Sequence, residues 1–262
     1  MKKITRKITK KIIIGNWKMN PENKKEAVKL FVKIAKSLNK IKKTEIIICA
    51  PFIYLDELNK IQTSKVKLGA QDAFWDEAGP YTGEISSDML YNLGVRYVIL
   101  GHSERRSLGE TNTLVNKKIK GALASGLVPI LCVGENTRDA SHAYFNMVKE
   151  QVVECLQGIS KNSISKVIIA YEPVWALSST LPRKDATALD AQEMAIFIRK
   201  ILSDKFGSEA GRIRIIYGGS ANEKDAGDFL KNGGIDGLLP GRASLDALKF
   251  VEIINIAENF AE

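Results

Sequence analysis

Eight short β-branched runs, each followed by a longer segment of helical periodicity, set the strongest limit on what this 262-residue chain can fold into. The runs are residues 12–15, 44–50, 67–70, 96–100, 128–133, 166–170, 213–217 and 237–239. Between them apolar residues recur at three- and four-residue spacing, as in Ala27-Leu30-Phe31-Ile34-Ala35-Leu38 and Met194-Ile196-Phe197-Ile198-Ile201-Leu202. A strand that is apolar on both faces has to be covered on both, so the alternation predicts a parallel sheet clothed by helices. Eight such units in about 250 residues match a closed (β/α)8 barrel in count and size. The competing architecture, an open doubly wound sheet, usually carries a Gly-rich phosphate turn straight after its first strand. Here that strand runs instead into Gly15-Asn16-Trp17-Lys18-Met19-Asn20, which favours the barrel. No internal Ser/Pro-rich linker divides the chain, so residues 11–262 are read as one barrel domain behind a frayed basic extension, residues 1–10.

Charge and cysteine usage exclude several function classes. The formal net charge is +9, but Lys2, Lys3, Arg6, Lys7, Lys10 and Lys11 concentrate much of it at the start. What remains is mildly basic, which suits attraction of small anions, and no aromatic-interleaved basic stripe points to nucleic acid. Cys49, Cys132 and Cys155 are odd in number and widely spaced, matching neither a disulfide framework nor a zinc site. They are expected reduced and packed, and the two histidines, His102 and His142, make a His-rich metal site improbable. No apolar run approaches the roughly 18–20 residues of a membrane span. The short run Ile12-Ile13-Ile14 behind the basic start falls short of a signal peptide's apolar region, so a cytoplasmic protein is expected.

A barrel places chemistry at the C-terminal ends of its strands and commonly binds phosphate after strands seven and eight. The ends of the predicted strands carry unusual polar groups: Asn16-Trp17-Lys18, Gly101-His102-Ser103-Glu104-Arg105-Arg106, Tyr171-Glu172-Pro173, Gly218-Gly219-Ser220 and Gly241-Arg242-Ala243-Ser244. Singly each is a weak signal. Lys18 is one of 39 Lys and Arg residues, an isolated His102 is more often structural than catalytic, Glu172 can cap a loop, and Gly-Gly-Ser is a common turn. Their weight comes from the fold, which turns all five toward one mouth.

The stretches IIIGNWKMN, ILGHSERR, ILCVGE, AYEPVWA, YGGSAN and GRASL, in this order, resemble the triosephosphate isomerase family over nearly the whole chain. GNWKMN, GHSERR and YEPVWA are specific in combination; Gly-Gly-Ser and GRASL are not. The resemblance implies a TIM barrel that interconverts dihydroxyacetone phosphate and D-glyceraldehyde 3-phosphate in glycolysis and gluconeogenesis, with no metal or organic cofactor. Moving a proton between adjacent carbons through an ene-diolate requires a base that reaches both carbons. It also needs a donor serving both oxygens, and positive charge beside the developing negative one. The resemblance assigns Glu172 as base, His102 as donor, Lys18 as the fixed ammonium and Asn16 as a hydrogen-bond donor to the ene-diolate oxygen. Glu104, with Ser103, is expected to support these groups by holding Lys18 or its neighbours. Amides around Ser178, Ser220, Gly241 and Arg242 are expected to take the phosphate, aided by the N-terminus of the following helix.

The resemblance further implies that residues 71–84 insert into a neighbouring subunit, where Thr82 braces Asn16 and His102. A homodimer is therefore expected, with association into tetramers open. The departures from the family lie in the phosphate loops. Where the family has Gly-Gly after strand eight, this chain has Gly241-Arg242, whose guanidinium is expected to point away because an inward one would crowd a small substrate. The expected lid is Pro173, Val174, Trp175, Ala176, Leu177, Ser178, Ser179 and Thr180, and it lacks the family's tip glycines and is longer. Two alternatives stay open on these departures: an impaired isomerase whose leaky lid releases methylglyoxal, and a non-catalytic anion-binding scaffold.

Overall fold

The structure, a computed structural model, describes residues 10–177 and 185–261. Eight parallel strands form one closed barrel in sequence order: β1 (Ile12–Asn16), β2 (Glu45–Cys49), β3 (Val66–Ala70), β4 (Tyr97–Leu100), β5 (Val128–Val133), β6 (Ile168–Tyr171), β7 (Arg214–Tyr217) and β8 (Gly237–Leu238). The ring closes where β1 pairs with β8, Ile12 opposite Gly237 and Ile13 opposite Leu238. Every predicted run contains a strand, with ends displaced by a residue or two. Outside the ring lie α1 (Lys24–Lys36), α2 (Phe52–Ile61), α3 (Ser87–Asn92), α4 (Ser103–Ser107), α5 (Asn112–Ala124), α6 (Tyr144–Cys155), α7 (Lys161–Ile164), α8 (Ala188–Phe206), α9 (Ala226–Asn232) and α10 (Ala247–Asn259).

Side-chain caps start several of these helices. Asn23 caps α1 by accepting from the Glu26 amide, and Thr187 with Asp190 forms a reciprocal capping box on α8. Among the described residues no helix is long and apolar enough to cross a membrane.

Strand side chains alternate between two cores. Ile12, Ile14, Ile47, Cys49, Tyr97, Ile99, Ile130, Cys132, Ile168, Ala170 and Ile216 fill the barrel interior. Their odd neighbours, among them Ile13, Ile46, Ile48, Leu131, Ile169 and Ile215, pack outward against the helices. Both faces are buried, which is why the runs read as continuously apolar. Cys49, Cys132 and Cys155 are free thiols and buried, as expected.

At the N-terminal mouth Glu45 accepts from Lys67 Nζ at 2.7 Å, Tyr97 Oη at 2.5 Å and Arg214 Nη1 at 2.5 Å. Burial pushes the Glu45 carboxyl up, but Arg214, Lys67 and Tyr97 outweigh it and bring it to about 2. The cluster ties β2, β3, β4 and β7 together at this end of the barrel.

Candidate active site

The interior parity continues past the strand ends and decides what faces the open mouth. In β1 the inward series 12, 14 leads to Asn16; in β6 the series 168, 170 leads to Glu172; beyond β7 and Leu239 it leads to Gly218 and Gly241. His102 has the opposite parity, because Val98 and Leu100 pack outward. Gly101, at φ 70°, breaks the alternation and turns the next residue inward, a conformation that an L side chain resists. Asn16, Lys18, His102, Glu172, Leu177, Ser220, Gly241 and Arg242 thus line one cavity of about 470 Å3. This is within the size range of small-molecule sites.

Each group is held by its surroundings. The Glu172 amide donates to Val133 O at 2.8 Å, and the Ser103 amide donates to Glu172 Oε2 at 3.2 Å. His102 Nε2 lies 2.9 Å from Glu172 Oε1, both side chains being almost fully buried. His102 also caps α4, its Nδ1 accepting from the Glu104 amide at 3.2 Å. A nitrogen that accepts carries no proton, so the ring proton sits on Nε2, facing Glu172.

Burial alone would push the Glu172 carboxyl up. The His102 ring, the Ser103 amide and the Lys18 ammonium outweigh burial and hold it below the ordinary carboxylate range. Burial would likewise push His102 down, but the Glu172 carboxylate, with Glu104, raises it. The two groups are coupled, and an ionised Glu172 at neutral pH is the consequence relevant to proton abstraction.

Lys18 has a positive φ of 53°, rare for a residue with a side chain, and such strain is retained where surrounding structure enforces it. Its amide donates to Asn16 Oδ1 at 2.9 Å, and Gln71 Nε2 donates to its carbonyl at 2.8 Å and to Cys49 O at 3.0 Å. The Lys18 ammonium pairs with Glu104, the supporting partner expected of that residue.

Across the cavity, Ser220 Oγ donates to Ala176 O at 2.9 Å, which ties the loop after β7 to the segment after β6. Buried Ser244 donates to Gly241 O at 2.6 Å, bracing the loop after β8. Behind Gly241, residues Arg242–Leu245 form a 3-10 turn, and the helix that follows, α10, begins at Ala247. Asp246 caps α10, accepting from the Leu248 amide at 2.9 Å.

Thr82 is exposed and does not line this cavity. Of the expected lid, Pro173 leads into a 3-10 turn, Val174–Ala176, followed by buried Leu177. Ser178, Ser179 and Thr180 lie outside the described residues, as do residues 1–9 of the basic extension.

Two supporting residues escaped the sequence reading. Glu135, fully buried behind β5, accepts from Tyr171 Oη, Trp175 Nε1 and Arg138 Nε, each at 2.8 Å, and anchors the segment after Glu172. Gln71 follows β3 and splints Lys18. Both are polar residues just past a strand's C-terminal end, the same signal that singled out Glu172.

Comparison with known proteins follows this geometry. The triosephosphate isomerase family model matches residues 11–257. The chain is 44% identical over 248 residues to triosephosphate isomerase of Moorella thermoacetica, covering 93% of this chain and 97% of the relative. It is 45% identical over 248 residues to that of Thermoanaerobacter pseudethanolicus, covering 93% and 98%. The crystal structure of the Bartonella henselae triosephosphate isomerase superposes with a TM-score of 0.83 at 34% identity, covering 94% of this chain and 98% of that one.

Proposed function

The chain belongs to the triosephosphate isomerase family, and from that premise we propose how its residues divide the work of the isomerisation. The activity is the cofactor-independent interconversion of dihydroxyacetone phosphate and D-glyceraldehyde 3-phosphate, a step of glycolysis. Nothing in the comparisons favours a non-catalytic scaffold.

Glu172 removes the proton from one carbon and returns it to its neighbour. Its position at the edge of β6, with an ionised carboxylate 2.9 Å from His102 Nε2, supports that role. His102 presents an Nε2 proton to the substrate oxygens, and its buried seat limits the reorganisation needed as charge moves between them. The Lys18 ammonium and the Asn16 amide stabilise the ene-diolate oxygen, and the fixed backbone at Lys18 keeps that charge in place. Amides around Ser220, Gly241 and Arg242 receive the phosphate. The observation that carries the reading is the 2.9 Å approach of His102 Nε2 to Glu172 Oε1 inside the cavity that Lys18 and Asn16 also line.

The test is a coupled assay of both triose phosphates with the wild type and Glu172→Gln. Loss of the base is expected to lower kcat by about 10²–10⁴-fold. A wild type inactive on both substrates, or a Glu172→Gln variant of undiminished rate, refutes the assignment.

The chain acts as a homodimer. Exposed Thr82 lies on a loop stiffened by the Phe74–Trp75 stack, and Met19, next to Lys18, is 93% exposed, both suited to contact with a second copy. Sedimentation of Thr82→Arg is expected to show monomer, and an unchanged dimer with full turnover refutes this.

A further inference from the structure

Of the two residues that stand where the family carries paired glycines, only the first is under pressure to remain one. A side chain on Gly241 would place its Cβ 3.3 Å from Lys18 Cε, against the ammonium stem that the site depends on. The next position lies in the first turn of a 3-10 segment, with ordinary negative φ, and it is exposed. A side chain there meets no steric obstacle, and this chain puts a guanidinium on it.

The charges at the cavity rim are unequally committed. Lys18 pairs with Glu104, and Lys249 lies 3.7 Å from Glu223. Among the described residues the Arg242 guanidinium and the Lys224 ammonium meet no carboxylate and donate no hydrogen bond. Of these two, Arg242 is the one whose own amide belongs to the phosphate loop. A guanidinium also offers parallel donors that match two phosphate oxygens at once, where an ammonium offers a point charge. The objection that an inward arginine crowds a small substrate does not hold, because about 470 Å3 is ample for a three-carbon phosphate with a guanidinium laid against its outer oxygens.

We propose that Arg242 is a specificity-determining residue of this site: its guanidinium turns in from the rim onto the substrate phosphate and strengthens a cradle otherwise built of backbone amides. The proposal rests on the isomerase reading for the identity of the substrate, and it adds a phosphate contact that paired glycines cannot make. Because the contact is with the phosphate and not with the reacting carbons, it favours phosphorylated over unphosphorylated substrates and acts mainly through KM.

The test compares wild type, Arg242→Gly, Arg242→Ala and Arg242→Lys in two assays. The first is binding of inorganic phosphate by calorimetry, which needs no turnover. The second is kcat/KM for D-glyceraldehyde 3-phosphate relative to unphosphorylated D-glyceraldehyde. Removing the guanidinium is expected to weaken phosphate binding about tenfold and to lower the kcat/KM ratio by a similar factor, most of it in KM. Arg242→Lys, with charge but no fork, is expected to fall between wild type and Arg242→Ala, a gradation that a merely structural role does not produce. Equal phosphate affinity in wild type and Arg242→Ala overturns the proposal. Failure of the isomerase reading shows separately, as a wild type that binds phosphate but turns over neither triose phosphate.

Discussion

Gly218 is the position at which a single methyl group should disturb Glu172, the proposed base, without disturbing the fold. It continues the inward parity of β7 into the layer of Glu172, where a Cβ would lie 2.9 Å from Glu172 Cγ and 3.4 Å from Tyr171 O. Ordinary contact begins at 3.4 Å, so the methyl of Gly218→Ala requires a displacement of at least 3.4 − 2.9 = 0.5 Å. The backbone of Glu172 is pinned by its 2.8 Å bond to Val133 O, and the Gly218 amide is itself bonded to Tyr171 O at 2.7 Å. The carboxylate arm therefore takes up the shift. A misplacement of about 1 Å costs on the order of 10²-fold in rate, so half of that costs about tenfold in kcat, or about 1.4 kcal/mol of transition-state stabilisation.

The assay is steady-state kinetics in both directions, with thermal unfolding as the control for an intact barrel. KM is expected to move less than kcat, because the displaced group is the proposed base and lies apart from the proposed phosphate loops. An unchanged kcat with an intact fold refutes the packing argument.

Three further outcomes follow from the ion pairs. Glu172→Gln removes the carboxylate that raises His102, so the His102 ring should titrate at lower pH in that variant by NMR, and an unmoved titration would show that the two are uncoupled. Glu45 is lowered from 4.5 to about 2 on folding, so its contribution to stability is complete above pH 4.5 and is lost as pH falls toward 2. At 1.36 kcal/mol per pH unit this is about 3 kcal/mol, and the advantage of wild type over Glu45→Gln in denaturant unfolding should decline by that amount across the window. Lys118 is buried between Asp72, at 2.7 Å, and Glu110, which accepts from the Gly101 amide at 3.1 Å. Lys118→Met leaves two buried carboxylates short of a cation, with only Arg105, 2.8 Å from Asp72, remaining. The expected destabilisation is about 3 kcal/mol in the same unfolding assay, and a loss well under 1 kcal/mol would refute it.

The barrel was legible because its signal is local and repeated. A strand buried on both faces must be apolar at consecutive positions, as in Ile12-Ile13-Ile14 and Ile46-Ile47-Ile48, and no distant contact is needed to recognise that. The polar residues at the mouth were legible for the complementary reason: an acid or amide straight after such a run has little structural excuse. What sequence reasoning missed depends on separation. The Lys18–Glu104 pair joins residues 86 apart, and Glu135 reaches Trp175 across 40.

His102 is the instructive case, since its residue type suggested its role while its parity argued against it. Counting outward from Val98 and Leu100 points its side chain at the helices, where a histidine would be a packed structural group. The reversal is made by Gly101, and Gly101 is in turn held by its neighbours: its amide donates to Glu110 and its carbonyl accepts from Arg106 Nε at 2.7 Å. The orientation of the His102 ring is thus set by a buried ionic group outside the cavity. Substitutions at Glu110 or Arg106 should consequently impair catalysis through a residue neither of them touches in the cavity, whereas the orientation of Glu172 follows from strand alternation alone and needs no such support.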